Sequence, residues 1–103
     1  MKIYRQGDVL LQQIDRIPTD AQLVDTNGAP VVVAEGEATG HKHQFRFRDA
    51  EMYRGGGGAQ YIRALTDAPL THEEHQTVVL PPGIYKRIQQ VEYSPAALRT
   101  VAD

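Results

Sequence analysis

Cysteine is absent from the 103-residue chain. That excludes a disulfide framework and a thiolate metal site, and leaves imidazole and carboxylate as the strong ligands available. Serine occurs once, as Ser94 in "SPAALRTVAD", where helix capping accounts for it, so no Ser-His-Asp or Cys-His catalytic arrangement can be assembled. A basic excess is missing too: 13 acidic and 11 basic side chains are spread along the chain for a formal net charge of −2, without the cationic surplus that a phosphate backbone rewards. No nucleic-acid partner is expected. No apolar run approaches membrane-spanning length, and "MKIYRQGDVLL" has no extended apolar segment of the signal-peptide kind. The chain therefore reads as soluble, cytoplasmic and free of membrane partners.

Apolar residues make up 41% of the sequence, enough for one compact core and too little chain for two domains of ordinary size, so residues 1–103 are expected to form a single domain. Glycine and proline divide it into short pieces that suit strands better than helices. The expected strands are Asp8 to Ile14, Val31 to Glu35, His41 to Arg48, Gln60 to Leu65, Gln76 to Leu80 and Ile84 to Tyr93. An all-β fold follows, a small β-barrel or sandwich of six to eight short strands. A short C-terminal helix is expected to begin at Pro95 behind the Ser94 cap. "DTNGAP" reads as a hairpin tip, because Asn27 and Gly28 tolerate the positive φ of a tight turn, and "LPPGIY" as a turn between strands. The run Gly55 to Gly58 lacks the lysine and Ser/Thr of a phosphate-binding P-loop and reads as a mobile loop.

All four histidines fall into two tight clusters, His41 and His43 in "GHKHQF" and His72 and His75 in "THEEHQ". On a strand, alternate residues share a face, so His41 and His43 can aim two ring nitrogens at one ion, on the side of Phe45 and Phe47. The opposite face carries Lys42, Gln44, Arg46 and Arg48, which explains the basic-aromatic mixture without a nucleic-acid surface. His72 and His75 would face opposite sides of a flat strand; both become ligands only if "THEEH" bends. Glu73 and Glu74 are either ligands, acceptors that orient an imidazole, or solvated charges. "HEEHQ" is not the zinc-protease motif H-E-x-x-H, since Gln76 stands where the second histidine belongs.

The histidines thus make a candidate site for one divalent transition metal, such as Zn²⁺, Fe²⁺, Ni²⁺ or Mn²⁺, held by His41, His43, His72 and His75. Three ligands would leave a position for Lewis-acid or oxygen chemistry on a small-molecule ligand, and four would favour a structural or storage role. The alternative is a non-enzymatic interaction module that pairs through strand edges with a partner or a second copy, its histidines incidental.

"GEATGHKH" and "PPG", Pro81 to Gly83, resemble the two sequence motifs of the cupin superfamily of small β-barrels, the first carrying H-x-H on one strand. The resemblance implies a metal-binding barrel in which His41 and His43 are ligands. Where that family places a glutamate after the second histidine this chain has Phe47 and Arg48, and where it places the last histidine this chain has Lys86. The rest of the ligand set must therefore be assembled differently, from His72 and His75 ahead of the proline-glycine turn. The ensemble of "GEATGHKH", "THEEH" and "QQVEYSP" is also similar to a group of small bacterial proteins of unknown function.

Overall fold

The computed structural model describes residues 2–88 with their side chains, and the backbone alone of 91–93 and 98–100. Twelve strands run through the described residues: β1 (Ile3–Gln6), β2 (Val9–Ile14), β3 (Gln22–Leu23), β4 (Val31–Glu35), β5 (Lys42–Phe45), β6 (Ala50–Arg54), β7 (Gln60–Ala64), β8 (Ala68–Leu70), β9 (Val78–Leu80), β10 (Gly83–Ile88), β11 (Val91–Tyr93) and β12 (Leu98–Thr100). The fold is all-β, with more and shorter strands than the six to eight expected.

Six strands form an antiparallel sheet in the order β1-β2-β10-β7-β6-β3. The pairs β4-β5 and β8-β9 lie outside it, and an antiparallel bridge between Gln44 and Thr71 links β5 to the end of β8. Among the described residues the strands do not close into a barrel. One core cluster takes Val9, Leu11, Ile62, Ala64, Met52 and Tyr85 from the large sheet and Val31, Val33, Phe45, Leu70 and Leu80 from the other two pairs. Strand β2 shows the cause, since Val9 and Leu11 are fully buried while the residues between and after them are partly exposed, the period of two that a sheet with one face on a core imposes.

Asn27 and Gly28 both adopt positive φ, 53° and 83°, as their residue types allow. The turn is not a hairpin tip, however, because β3 pairs with β6 and β4 with β5; it carries the chain from one layer to the other. "LPPG" makes a similar crossing from β9 to β10, and the Tyr85 hydroxyl donates to the Pro81 carbonyl at 2.6 Å to hold it. The glycine run turns the chain at Gly56–Gly58, with Gly57 and Gly58 at positive φ of 69° and 77°, as the tip of the β6-β7 hairpin.

The C-terminal helix is not supported. Leu98–Thr100 is a strand paired antiparallel with Val91–Tyr93; the expected start at Ser94 and Pro95 lies outside the described residues. Local helix preference is worth only tenths of a kcal/mol per residue, roughly 0 to 0.7, so a pairing partner overrides it. Strand β5 is also shorter than expected. Arg46 Nε donates to Asp49 Oδ2 at 2.7 Å and the Asp49 N–H to the Arg46 carbonyl at 3.0 Å, closing a turn directly after Phe45. Phe47 leaves the strand and is 50% exposed rather than packed in the core. No helix among the described residues is long and apolar enough to cross a membrane.

Candidate metal centre

Strands β4 and β5 form a hairpin whose loop runs from Gly36 to His41. Gly40 takes φ +71°, its N–H donates to the Gly36 carbonyl at 2.8 Å, and a Cβ on Gly36 would stand 2.9 Å from Thr39 Oγ1. Backbone angle favours glycine at Gly40, and a Cβ at Gly36 would displace the Thr39 hydroxyl that accepts the His41 N–H at 3.1 Å. The loop delivers His41 just ahead of β5, which begins at Lys42; His41 and His43 line the same cavity, and both rings lie against that of His72. His43 points inward on the side of Phe45, 4% exposed. His41 instead directs Nδ1 to Glu74 Oε1 at 3.2 Å.

The segment "THEEH" bends, as two ligands from it require. Thr71 bridges to Gln44, and then His72 Nδ1 accepts the N–H groups of Glu74 at 3.0 Å and His75 at 3.2 Å, so one imidazole caps the turn that follows it. Glu73 Oε1 accepts the Lys42 N–H at 2.8 Å and pins this turn to β5. That bond, with one from its own backbone, holds the Glu73 carboxyl below the usual carboxylate range against desolvation, and His41 and His72 act in the same direction. Glu73 is thus a brace between segments and Glu74 the partner of His41.

One residue that composition and spacing do not flag connects all of this. Gln6, at the end of β1 and 2% exposed, donates from Nε2 to the carbonyls of Leu70 at 2.7 Å and Gln76 at 2.9 Å, the two ends of the histidine turn. Those donors leave Oε1 toward His43, with Nδ1 at 2.9 Å. A carboxamide oxygen only accepts, so His43 Nδ1 carries the proton and the lone pair of the neutral ring sits on Nε2. That nitrogen lies 3.7 Å from Asp8 Oδ1. Neither Gln6 nor Asp8 is marked in the sequence by a neighbouring histidine, and Gln6 stands ahead of the first strand that the sequence predicts.

His43, His72 and His75 each offer a ring nitrogen, and these atoms lie within 4.8 Å of one another. Bonds of about 2.0 to 2.1 Å to a tetrahedral ion place their nitrogens roughly 3.4 Å apart, so coordination requires the set to close by up to about 1.4 Å. The rings lie close: 4.3 Å between the centroids of His43 and His72, 4.5 Å for His72 and His75, and 5.7 Å for His43 and His75. His41 stands outside this group, edge-on to His72 at 5.6 Å. The three imidazoles open on a cavity of about 640 Å³ whose lining includes Asp8, Glu35, Glu37, Glu74 and Arg87. Arg87 Nη1 donates to Gln60 Oε1 at 3.0 Å and to the Val33 carbonyl at 3.1 Å, where a bulge in β4 interrupts the ladder. The acidic lining favours a cation among the rings.

The arrangement carries one chemical tension. A neutral imidazole has a single lone pair, and at His72 two backbone N–H groups occupy it through Nδ1. Coordination by His72 therefore requires these cap bonds to give way, by turning the ring or shifting the loop.

Comparison with protein families matches residues 5–90 to the family described as Domain of unknown function (DUF8820), and the chain belongs to it. No curated protein and no solved structure matches the chain.

Proposed function

We propose that this member of a domain family of unknown function binds one divalent transition-metal ion through His43, His72 and His75 and presents it to a small molecule in the adjoining cavity. The observation that carries the reading is the convergence of three ring nitrogens within 4.8 Å from two segments far apart in sequence. His43 has its tautomer set by Gln6 so that Nε2 can coordinate. Imidazole donors suit Zn²⁺, Fe²⁺ and Ni²⁺, with Mn²⁺ the ion least favoured by nitrogen ligands.

Three imidazoles do not saturate the ion. His41 is engaged with Glu74, so the reading moves from four histidines toward three, with the remaining position facing the cavity. An ion held this way supplies Lewis-acid polarisation to a bound oxygen ligand. The cupin likeness belongs to the same proposal: it contributes the His43 position and nothing of the histidine turn. Cytoplasmic location and a small-molecule ligand complete the reading.

Ion content settles the matter. Protein purified without a histidine tag should carry, or take up on reconstitution, close to one equivalent of a divalent transition metal; no uptake after reconstitution would falsify the proposal. A second reading, a module that pairs through strand edges, draws on Ile3 and Leu23, both exposed on the two edge strands β1 and β3 of the large sheet. Self-association of metal-free protein that refuses metal would favour it.

A further inference from the structure

We infer that Gln6 is the positioning residue of the metal site, acting on every imidazole of the triad through a single buried carboxamide; the inference rests on the metal-binding reading above. Its three hydrogen bonds divide by function. Oε1 takes the Nδ1 proton of His43 at 2.9 Å and fixes both the tautomer and the orientation of that ring. Nε2 joins the carbonyls of Leu70 and Gln76 at 2.7 and 2.9 Å, which closes the segment carrying His72 and His75 into a loop of set span. The amide cannot be turned over without placing its NH₂ against a ring N–H and its oxygen against two carbonyls. The orientation of the carboxamide and the tautomer of His43 are thus determined together.

A purely structural role would need only the two carbonyl bonds. What marks Gln6 as part of the site is the third bond, because the acceptor facing a ligating imidazole decides which of its nitrogens is available to an ion. Gln6 also belongs to β1, paired with β2 at Val9, so the rigid sheet serves as the reference against which the histidine loop and β5 are held.

The test uses the full chain, ¹⁵N-labelled, metal-free and above the imidazole titration range. Two-bond ¹H–¹⁵N spectra of the wild type should show His43 as the Nδ1–H tautomer; an Nε2–H ring at His43 overturns the inference without any variant. Gln6→Met, if its amide spectrum shows a folded protein, should lose the tautomer preference and bind Zn²⁺ about 10- to 100-fold more weakly, the usual effect of removing an orienting partner. A folded Gln6→Met with unchanged tautomer or unchanged Zn²⁺ affinity overturns the positioning role. Should Gln6→Met not fold, Gln6→Glu keeps an acceptor before His43 and is expected to keep the Nδ1–H tautomer; an Nε2–H ring there counts against the inference. Failure of the metal reading looks different, since the wild type would then bind no Zn²⁺ while the tautomer measurements still decide whether Gln6 governs His43.

Discussion

Zinc-dependent stability tests the site and the fold together. The ring nitrogens of His43, His72 and His75 are within 4.8 Å of one another only in the folded chain, so Zn²⁺ binds the native state over the unfolded one and stabilises it by mass action. At a free ion concentration of about 100 times Kd the increment is about 2.7 kcal/mol. For a domain of this size each kcal/mol moves the melting midpoint by about 4 to 8 °C, so the shift should be roughly 10 to 20 °C. His43→Ala separates two contributions. With chelator present it should already be destabilised by about 1 to 3 kcal/mol, because Gln6 Oε1 is left buried without the Nδ1 donor it accepts at 2.9 Å. With Zn²⁺ present it should show little of the wild-type increment, and His75→Ala should lose that increment as well. Differential scanning calorimetry with chelator, and again at fixed free Zn²⁺, reads both effects. The increment should also fade as pH drops through the imidazole range near about 6.5, since only the neutral ring coordinates. A His43→Ala protein stabilised by Zn²⁺ as strongly as the wild type would refute the site, and so would a wild type that Zn²⁺ leaves unmoved.

Two further predictions come from hydrogen bonds on either side of the site. Because His72 Nδ1 accepts the N–H groups of Glu74 and His75, saturating Zn²⁺ should shift these two amide resonances and speed their hydrogen exchange; unchanged amides in a zinc-loaded protein would show that His72 is not a ligand. Tyr85 is fully buried, and burial, with the nearby Tyr4, pushes its phenol above its ordinary value. A pKa raised on folding contributes stability that is whole below the unfolded value of about 10 and is lost as pH rises through the folded value. Urea midpoints between about pH 8 and 11 should therefore fall more steeply for the wild type than for Tyr85→Phe, which in turn should be less stable at pH 8 by about 1 kcal/mol for the lost bond to Pro81. Parallel pH profiles would contradict the assignment.

Several local features were legible because they depend on residues close in sequence. The β-rich runs "VLLQQI" and "VVVAE" between glycine and proline breaks marked β2 and β4, and Asn27-Gly28 announced positive φ at both positions. The inward side of His43 followed from its spacing to Phe45. Two of the strands outside the expected set lack such marks: "AEMYR" contains good helix formers, and "APL" is three residues long. They are strands because β7 and β9 offer partners, and propensity yields to pairing and burial.

For the site, the sequence by itself determined which chemistry was available: no thiolate, four imidazoles in two clusters, and a strand that turns His43 inward. Only the tertiary structure decided which imidazoles meet. His41 and His43 are two residues apart and line one cavity, yet His41 turns Nδ1 to Glu74 while His43 meets His72 and His75. Likewise the Arg46–Asp49 turn, not the alternation of "FRF", places Phe47 outside the core. The hold of Gln6 on both the histidine loop and His43 joins residues up to 70 positions apart, between residues 6, 43, 70 and 76. Periodicity reports the direction of a side chain relative to its own strand; it carries no information on what another strand brings to face it, and that is settled by how the two layers bury their common core.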